Sequence, residues 1–528
     1  MPRGRYSEAA LERARNAAVM LGLALLVGFY YAIESLPFML LALAGWGLLA
    51  FLKPSAGLAA VAFAIPFFWH PKVIEQQRFP IAETLLLLVF AAVLARKVVS
   101  FLLPSLAEKL RISPDEGLQT KTVEHTKYRV PSTEYRVPRD GNHALRFTFH
   151  VSRFTHLFKE WNRQDAFAAP AVALLLVGTL SLLTLADPAF ARDSARAYRW
   201  TIVEPVLFYF LLTDVISSRR GLWRIADFFL AAAVAAALVG LAQFALGADV
   251  LDVQGVSRIS GVYTHPNNLA LFLGRVLPFV VCVGIFLPSG RRKVLYLMSA
   301  LPMALAAFLT YSRGAYVAVT LAILVAVAVG LLWKPRRAEH RAGRWKLAVS
   351  SAVVALGLAV IITAALLPSL PERIGHVGSV FIRARIWDSA FRMLADHPIL
   401  GVGPDQFLNQ FRSHYLSQEQ REQHEDWFSH PHNLILDYWL SLGVIGVLVL
   451  LICLWRYFRE ALGMAQSMAL GRDGVSRAIA LGLLASMLDF LLHGMVDNSY
   501  FLMDLAMIFW LSCGLLQLGR SNVLEPGP

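Results

Sequence analysis

The sequence predicts an all-α protein, a polytopic membrane helical bundle of about fourteen transmembrane helices with a structured helical outer loop. Three observations lead to this fold class. Hydrophobic residues make up 57% of the 528 residues. Charged residues make up only 16%, below the roughly 25% of a soluble domain. Lys and Arg gather in short clusters between long apolar runs, as they do in the loops of membrane proteins.

The same composition argues against several other classes of protein. A net charge of +13 is compatible with nucleic-acid binding, but basic clusters between apolar runs indicate membrane loops instead. The apolar content excludes disorder over most of the chain. Cys282, Cys453 and Cys513 all lie inside apolar runs, so neither a disulfide framework nor a cysteine zinc site is predicted. The sequence has no phosphate-binding loop or nucleophile elbow in a usable context, which argues against nucleotide-driven chemistry.

Each predicted span is an apolar run long enough to cross about 30 Å of hydrocarbon as a helix. Two runs are about twice that length and must turn, and polar residues predict the turns at Ser312-Arg313-Gly314 and Asp497-Asn498-Ser499. The predicted spans are 17–33, 36–52, 57–69, 81–103, 166–186, 201–217, 224–246, 266–287, 294–310, 315–333, 347–367, 434–457, 478–495 and 500–518.

Basic residues predict the orientation, because Lys and Arg concentrate in cytoplasmic loops. The basic stretch before the first span has no apparent cleavage site after it, so we interpret that span as uncleaved with a cytoplasmic N-terminus. Counting from there puts every basic loop cluster, and the C-terminus, in the cytoplasm. Whether the short run 57–69 crosses the membrane determines on which side the later loops lie. If it did not cross, all the clusters would face outward. This orientation places Arg313, the segment 258–267 and the long loop 368–433 on the outer face.

The predicted spans divide the chain into five segments. They are the N-terminal transmembrane helices 1–103, a cytoplasmic polar insert 104–165, the central transmembrane helices 166–367, the outer loop 368–433 and the C-terminal transmembrane helices 434–528. The insert repeats Tyr-Arg-Val-Pro at 128–131 and 135–138, which argues against helix. Its stretch 144–161 alternates in polarity, as a strand or a membrane-surface segment does. The insert is either a solvated or interfacial linker or a docking segment for a partner.

The outer loop is too long for a bare connection and predicts a lid or cap. Apolar residues between Ile382 and Leu394 follow helical spacing and end at Asp396-His397-Pro398. Gly401-Val402-Gly403-Pro404 predicts a turn, and 406–415 predicts a second helix with Phe407 and Phe411 on one face.

Three arginines of the outer face are candidates for chemistry. Arg313 is confined to a turn between two spans, where it is either an interfacial anchor or a functional charge. Arg383 and Arg385 open the predicted loop helix, and their planar guanidinium groups suit phosphate. The alternative for these two is a solvated loop pair.

The segment His430-Pro431-His432-Asn433 lies directly before a span, and its proline stiffens the backbone. It is an N-cap sequence with Asn433 as the cap, a pair of metal ligands, or the location of a general base. A zinc site would need further ligands, and only His414, His424 and Asp426 are near in sequence. Asp497 is either a turn residue or the group that orients a histidine such as His493 or His432.

These residues belong to an ordered series of motifs. The series comprises Arg258-Ile259-Ser260-Gly261, His265-Pro266-Asn267, Tyr311-Ser312-Arg313-Gly314, Arg385-Ile386-Trp387, His397-Pro398-Ile399-Leu400-Gly401-Val402-Gly403, His430-Pro431-His432-Asn433-Leu434 and Leu442-Gly443-Val444-Ile445-Gly446. With this order, 187–518 resembles the O-antigen ligase and Wzy-type polymerase superfamily of bacterial membrane glycosyltransferases.

The resemblance implies a glycan donor on undecaprenyl diphosphate and an acceptor hydroxyl on lipid A core or on another glycan. It implies that Arg313 and Arg385 hold the diphosphate and that His432 activates the acceptor, with no metal and no cofactor. Base-activated displacement at the anomeric carbon predicts inversion. Further candidates for substrate binding are Arg258, His265, Asn267, Arg383 and Asp497.

The resemblance also implies a multi-pass protein of the bacterial cytoplasmic (inner) membrane with a periplasmic active face and no nucleic-acid partner. Partners in polysaccharide assembly would then use the insert 104–165. The chain departs from the family in its span count, about fourteen where the family has about twelve, and in having that insert.

The alternative function is a transporter or flippase for polysaccharide or lipid-linked glycan. Transporters usually have charged residues inside their spans and repeated halves. The apolar runs here are mostly uninterrupted and no repeat between halves is apparent, which favours the enzyme. Residue types alone do not separate a ligase from a polymerase, because both need the same leaving group and the same base.

Overall fold

The computed structural model describes residues 36–74, 77–102, 164–248, 250–253, 256–332, 378–423, 428–467 and 474–520, with residue 22 before them. The predicted spans 17–33 and 347–367 and the insert up to residue 163, including its alternating stretch 144–161, lie outside the described residues. The described chain is a bundle of helices around one apolar core, with a smaller apolar cluster in the outer loop.

The helices follow one another with short connections in most places. They are α1 (Leu36–Leu52), α2 (Pro54–Ala64), α3 (Ile81–Leu102), α4 (Ala168–Leu183), α5 (Ala191–Tyr198), α6 (Glu204–Val215), α7 (Arg219–Leu246), α8 (Pro266–Phe286), α9 (Arg291–Leu309), α10 (Arg313–Leu332), α11 (Gly378–Asp396), α12 (Phe407–Gln410), α13 (Gln418–Glu422), α14 (Leu434–Ser467), α15 (Gly474–Gly494) and α16 (Met503–Arg520). Short 3-10 segments cover Ile65–Trp69 and Pro188–Phe190, and π-helical segments cover Arg199–Val203 and Phe411–Tyr415.

The helices confirm a polytopic membrane bundle. Within the described residues, seven helices are long and apolar enough to cross a membrane: α3, α7, α8, α9, α10, α14 and α15. The predicted spans that fall on described residues coincide with apolar helical segments to within five residues, except that the helix that begins at Leu434 continues ten residues beyond the predicted end, to Ser467. The number of spans, about fourteen by length and hydropathy, and their orientation stay predictions.

Both predicted turns inside the long apolar runs are confirmed. The first run turns between the end of α9 at Leu309 and the start of α10 at Arg313. Tyr311 in that turn has a φ of 51°, in the left-handed region. The second run turns between Gly494 and Met503. Each turn therefore brings its polar residues to one end of the bundle.

Helix α8 lies at the centre of the bundle. In its most apolar stretch 94% of the residues are buried, whereas the value is 28% for α3 and for α9. Helix α8 packs on α9, α10 and α15. Residues at the two ends of α8 are therefore held by several neighbouring helices at once.

Helix α14 breaks at Gly443, whose φ is 69°. The outer loop fills the break: the Val402 N–H donates to the Leu440 carbonyl at 2.7 Å and the Val444 N–H to the Ile399 carbonyl at 3.0 Å. A Cβ atom at Gly443 would lie 2.2 Å from that Ile399 oxygen. The apolar run 434–457 predicts one uninterrupted helix, so this break differs from the prediction. The break is tolerated because the freed peptide groups bond within the protein.

Two short antiparallel hairpins add strands that the all-α prediction did not contain. Strand β1 (Lys72–Ile74) pairs with β2 (Gln77–Phe79), and β3 (Leu251–Val253) pairs with β4 (Val256–Arg258). Strands of three residues are too short to show polar alternation in the sequence. The second hairpin ends at Arg258 and so delivers this arginine to the polar end of the bundle.

The outer loop is structured, as predicted. Helix α11 ends at Asp396, where the sequence predicts the break, and packs on the loop through Ile386 and Met393. The predicted second helix begins as α12 and continues as the π-helical segment, with the Phe407 and Phe411 rings 5.5 Å apart. Gly401 and Gly403 both have positive φ angles in the predicted turn. The loop is therefore anchored on α14 by backbone bonds and filled by its own apolar cluster.

Candidate functional site

The candidate site centres on a histidine and a buried carboxylate from two different elements. His432 lies just before α14, and Asp497 lies in the turn between α15 and α16. The Nδ1 atom of His432 is 2.9 Å from Oδ1 of Asp497. His432 has a φ of 50°, a left-handed conformation that costs of order 1–3 kcal/mol and occurs preferentially at functional sites. The fold thus holds this imidazole against the carboxylate in a strained conformation.

The N-cap interpretation of this segment is confirmed for Asn433. Its Oδ1 accepts hydrogen bonds from the backbone N–H groups of Ile435 and Leu436 at 3.0 and 3.1 Å. Its Nδ2 donates to the Met495 carbonyl at 3.1 Å. Asn433 therefore ties the start of α14 to the end of α15, and capping does not use the imidazole of His432.

A second histidine reaches the same carboxylate. The Nε2 atom of His430 is 3.6 Å from Oδ1 of Asp497, and the two imidazole centroids are 4.2 Å apart. Although burial raises the pKa of the Asp497 carboxyl, its contacts with His430 and His432 hold that pKa well below the ordinary value. Because an ionised carboxylate only accepts hydrogen bonds, Nδ1 of His432 carries the proton of this bond, and Nε2 is the ring nitrogen not engaged by Asp497.

A third predicted residue, Asn267, contacts the other oxygen of Asp497, and Arg258 and His265 contact Asn267. Nδ2 of Asn267 is 3.5 Å from Oδ2 of Asp497, and Arg258 donates from Nη2 to Oδ1 of Asn267 at 2.7 Å. Arg258 also donates from Nε to the Thr310 carbonyl at 2.7 Å. His265 caps α8 by accepting from the Asn267 N–H at 3.1 Å. The second hairpin and the start of α8 therefore support the carboxylate.

Two arginines carry positive charge beside this centre. Arg313 is exposed at the start of α10. Arg383 of α11 is close enough to Arg313 for the two charges to repel each other, and it also acts electrostatically on His493. His493 is 1% exposed and lies four residues before Asp497 in sequence. Like charges that approach each other in this way favour the binding of an anion between them.

Arg385 lies apart from this group. Its Nη2 donates to Oε1 of Gln423 at 2.7 Å, and its Nη1 is 3.4 Å from Oε1 of Glu419. The neighbouring Trp387 donates from Nε1 to the Pro431 carbonyl at 2.9 Å. Helix α11 is thus docked against the histidine segment, but the Arg385 side chain contacts α13 and the residue after it.

The structure also adds a third donor to the metal-ligand interpretation. His430, His432 and Asp497 offer atoms that lie within 4.8 Å of one another. Two imidazoles and a carboxylate suit zinc. His414 lies in the π-helical segment of the outer loop, and His424 and Asp426 are outside the described residues. The direct bond between His432 and Asp497 supports the base interpretation, and a chelation experiment separates the two.

Sequence reasoning missed two charged residues inside the bundle, Arg275 and Asp489. Their signal was present, because each is a charged residue in the middle of an apolar run, and such residues are costly in a membrane. Sequence reasoning also did not pair His430 with Asp497. The two are far apart in sequence, and their contact depends on how α14 and α15 pack.

Comparison with known proteins gives one family. Residues 298–451 match the model of a family described as O-antigen ligase. The match begins within α9 and ends within α14, so it includes Arg313, Arg383 and His432 and excludes Arg258 and Asp497. A search of curated proteins found no match.

Proposed function

Because residues 298–451 match the O-antigen ligase family and the described helices indicate a multi-pass membrane protein, we propose that this chain is a membrane glycosyltransferase. It moves a glycan from undecaprenyl diphosphate to a sugar hydroxyl, on lipid A core or on another glycan. The observation that carries the proposal is the bond between Nδ1 of His432 and the buried Asp497.

His432 is the general base in this proposal. Its Nε2 atom takes the proton of the acceptor hydroxyl while the hydroxyl oxygen attacks the anomeric carbon of the donor. Asp497 keeps the proton on Nδ1 and stabilises the imidazolium that forms, as the aspartate of a catalytic triad does. A single displacement of this kind inverts the configuration at the anomeric carbon.

The arginines receive the leaving group. The bond between the anomeric carbon and the diphosphate oxygen breaks, and the electron pair leaves with undecaprenyl diphosphate. Guanidinium groups fixed before the reaction stabilise this developing charge without reorganisation. Arg313 and Arg383 are the pair that best fits this role, because their charges act on each other and Arg383 also acts electrostatically on His493, four residues before Asp497. Arg385, which the resemblance implies, contacts Glu419 and Gln423 instead.

An apolar cavity supports a lipid-linked donor. It has a volume of about 340 Å³ between α8, α9 and α10, and its lining includes Phe308 and Tyr316 on either side of the Arg313 turn. The helix α9 that forms one wall is largely exposed to the membrane side. A polyprenyl chain in this cavity would have its diphosphate near the start of α10.

The basic loop clusters favour an orientation with the site on the outer face of the cytoplasmic membrane. In a donor at that face, the glycan is already activated by its bond to the diphosphate. This agrees with the lack of a nucleotide-binding motif in the sequence.

The test is glycan transfer by the purified protein in lipid nanodiscs, with lipid-linked donor and acceptor supplied. We expect His432→Ala to lose about 10²- to 10⁴-fold in transfer rate. His414→Ala, an exposed histidine of the outer loop, is the matched control and should transfer normally. Near-normal transfer by His432→Ala would overturn the proposal. So would movement of the lipid-linked sugar across vesicles by wild type without a new glycosidic bond, which would favour the transporter.

The acceptor is tested in a deletion strain by its surface glycan profile. Loss of long chains with single repeats retained indicates a polymerase. Loss of all repeats from lipid A core, with lipid-linked polymer accumulating, indicates a ligase.

A further inference from the structure

Helices α8 and α15 share an ion pair within the membrane-spanning part of the bundle. Arg275 of α8 is 3% exposed and Asp489 of α15 is fully buried. Nη1 of Arg275 donates to Oδ2 of Asp489, and the guanidinium carbon lies 5.1 Å from the centre of the Phe490 ring. Breaking such a pair by removing one partner leaves an uncompensated buried charge. The pair therefore strongly favours one arrangement of the two helices.

The ion pair lies on the same contact between α8 and α15 as the candidate site. Asn267 and Asp497 meet at the site, and Arg275 and Asp489 meet eight residues away from them in sequence, in opposite chain directions. On α8 these eight residues are helical and span about 12 Å. On the other side α15 ends at Gly494, and Asp497 lies in the turn that follows. The pair thus holds the part of α15 from which the turn with Asp497 begins.

Arg275 also makes a direct contact with the turn that carries Asp497. Its Nη2 donates to Oγ of Ser499, two residues after Asp497, and Ser499 donates to the Phe490 carbonyl at 2.9 Å. Asn498 closes the same turn by accepting from the N–H groups of Tyr500 and Phe501 at 3.2 and 3.0 Å. One guanidinium therefore joins α8, α15 and the turn after α15.

We propose that Arg275 and Asp489 are positioning residues of the site. Their ion pair fixes α8 against α15, and the second nitrogen of Arg275 holds the turn through Ser499 so that Asp497 meets Nδ1 of His432. Neither residue touches substrate. This inference rests on the proposed glycosyl transfer, because its purpose is to keep the base in its working tautomer.

The contact by which Arg275 holds the turn through Ser499, which we call the tether, is tested with two conservative variants. Ser499→Ala removes the contact of Arg275 with the turn, together with the bond from Ser499 to the Phe490 carbonyl. Arg275→Lys keeps a charge opposite Asp489 and leaves the Ser499 bond to Phe490 in place, but lacks the second fork nitrogen. We expect kcat to fall roughly 10- to 100-fold through misplacement of Asp497, with the donor KM within about twofold of wild type, since binding and positioning are separate contributions. Hydrogen exchange in peptide 495–502 should become faster in both variants.

The matched control is Arg477→Lys. Arg477 is a mostly buried arginine at the other end of α15, where it donates to the Gly330 carbonyl at 2.5 Å. A general loosening of the bundle would affect the kinetics and the exchange of peptide 495–502 in this variant as well. We expect Arg477→Lys to leave both unchanged.

A double variant guards against simple misfolding. Arg275→Met with Asp489→Leu replaces the pair by apolar side chains, a change that buried ion pairs often tolerate. It should fold and insert, yet show fast exchange in 495–502 and reduced kcat. Wild-type exchange in that peptide, in the double variant or in Ser499→Ala, overturns the tether. If wild type itself forms no glycosidic bond, the proposed function fails, and the exchange measurement still decides whether Arg275 holds the turn.

Discussion

The two sides of the candidate site are held in different ways. On the histidine side, the bond of His432 to Asp497 continues to Asn267 and Arg258 through polar contacts of 3.5 Å or less. On the arginine side, Arg313 and Arg383 repel each other. The first arrangement is joined by hydrogen bonds, whereas the second places like charges within reach of each other. In the proposed function, the histidine side supplies a preformed base and the arginine side binds the diphosphate.

The largest expected effect comes from disturbing the histidine side. Asp497→Asn keeps the size of the side chain but removes the ionised acceptor, so Nδ1 of His432 is no longer held in its protonated form. We expect transfer to fall about 10²- to 10⁴-fold. The measurement is initial transfer rate at saturating donor. Asp405→Asn, an exposed aspartate of the outer loop, serves as the control, and equal effects in both variants would contradict the special role of Asp497.

The next effect separates two arginines on one helix. Arg383→Ala should lower kcat/KM for the donor by roughly 10- to 100-fold, because a hydrogen bond to a charged group contributes about 1.5–3 kcal/mol. Arg385→Ala removes a partly exposed contact with Glu419, and such pairs contribute about 0–1 kcal/mol. Steady-state kinetics with varied donor measure both. A larger loss in Arg385→Ala would return the diphosphate role to Arg385, as the resemblance implies.

A smaller effect concerns stability against acid. The pKa of Asp497 is lower in the folded protein than its ordinary value, so its ionised form stabilises the fold. This contribution is fully present above the unfolded pKa of about 3.9 and is lost only as pH falls through the lower folded value. The difference in thermal unfolding temperature between wild type and Asp497→Asn should stay constant from about pH 5 to about pH 4 and shrink only below the unfolded pKa of about 3.9. A difference that shrinks within that range would mean that Asp497 is not held ionised.

In the last prediction, we expect no change in transfer activity when metal is removed or added. If His432 is a base and not a metal ligand, dialysis against a chelator should leave transfer unchanged, and added zinc should not raise it. Loss on chelation with recovery on zinc addition would assign His430, His432 and Asp497 to a metal site. Metal content measured before and after dialysis makes the result unambiguous.

The sequence was most informative where one local quantity determines the structure. Apolar runs of membrane-crossing length predicted the helices, and the polar residues around Arg313 and Asp497 predicted the turns between them. Helix α11 was likewise readable from its spacing up to Asp396. In each case the determining signal lies within about 20 neighbouring residues, the length of a membrane span.

The sequence was least informative where the local structure depends on a contact with a residue that is distant in the chain. The break at Gly443 depends on the Ile399 carbonyl of the outer loop, and a glycine in an apolar run does not indicate a break by itself. The division of roles between Arg383 and Arg385 depends on how α11 docks against α13. Arg275 and Asp489 are the exception, since two opposite charges in two apolar runs could have been paired from the sequence.

The break in α14 has a consequence for how substrates come and go. Lifting the segment 398–403 away from the bundle would strip the Leu440 carbonyl and the Val444 N–H of their partners, at several kcal/mol for each group left in apolar surroundings. The anchored end of the outer loop is therefore rigid. In the proposed glycosyl transfer, a long glycan would have to enter and leave without displacing this segment.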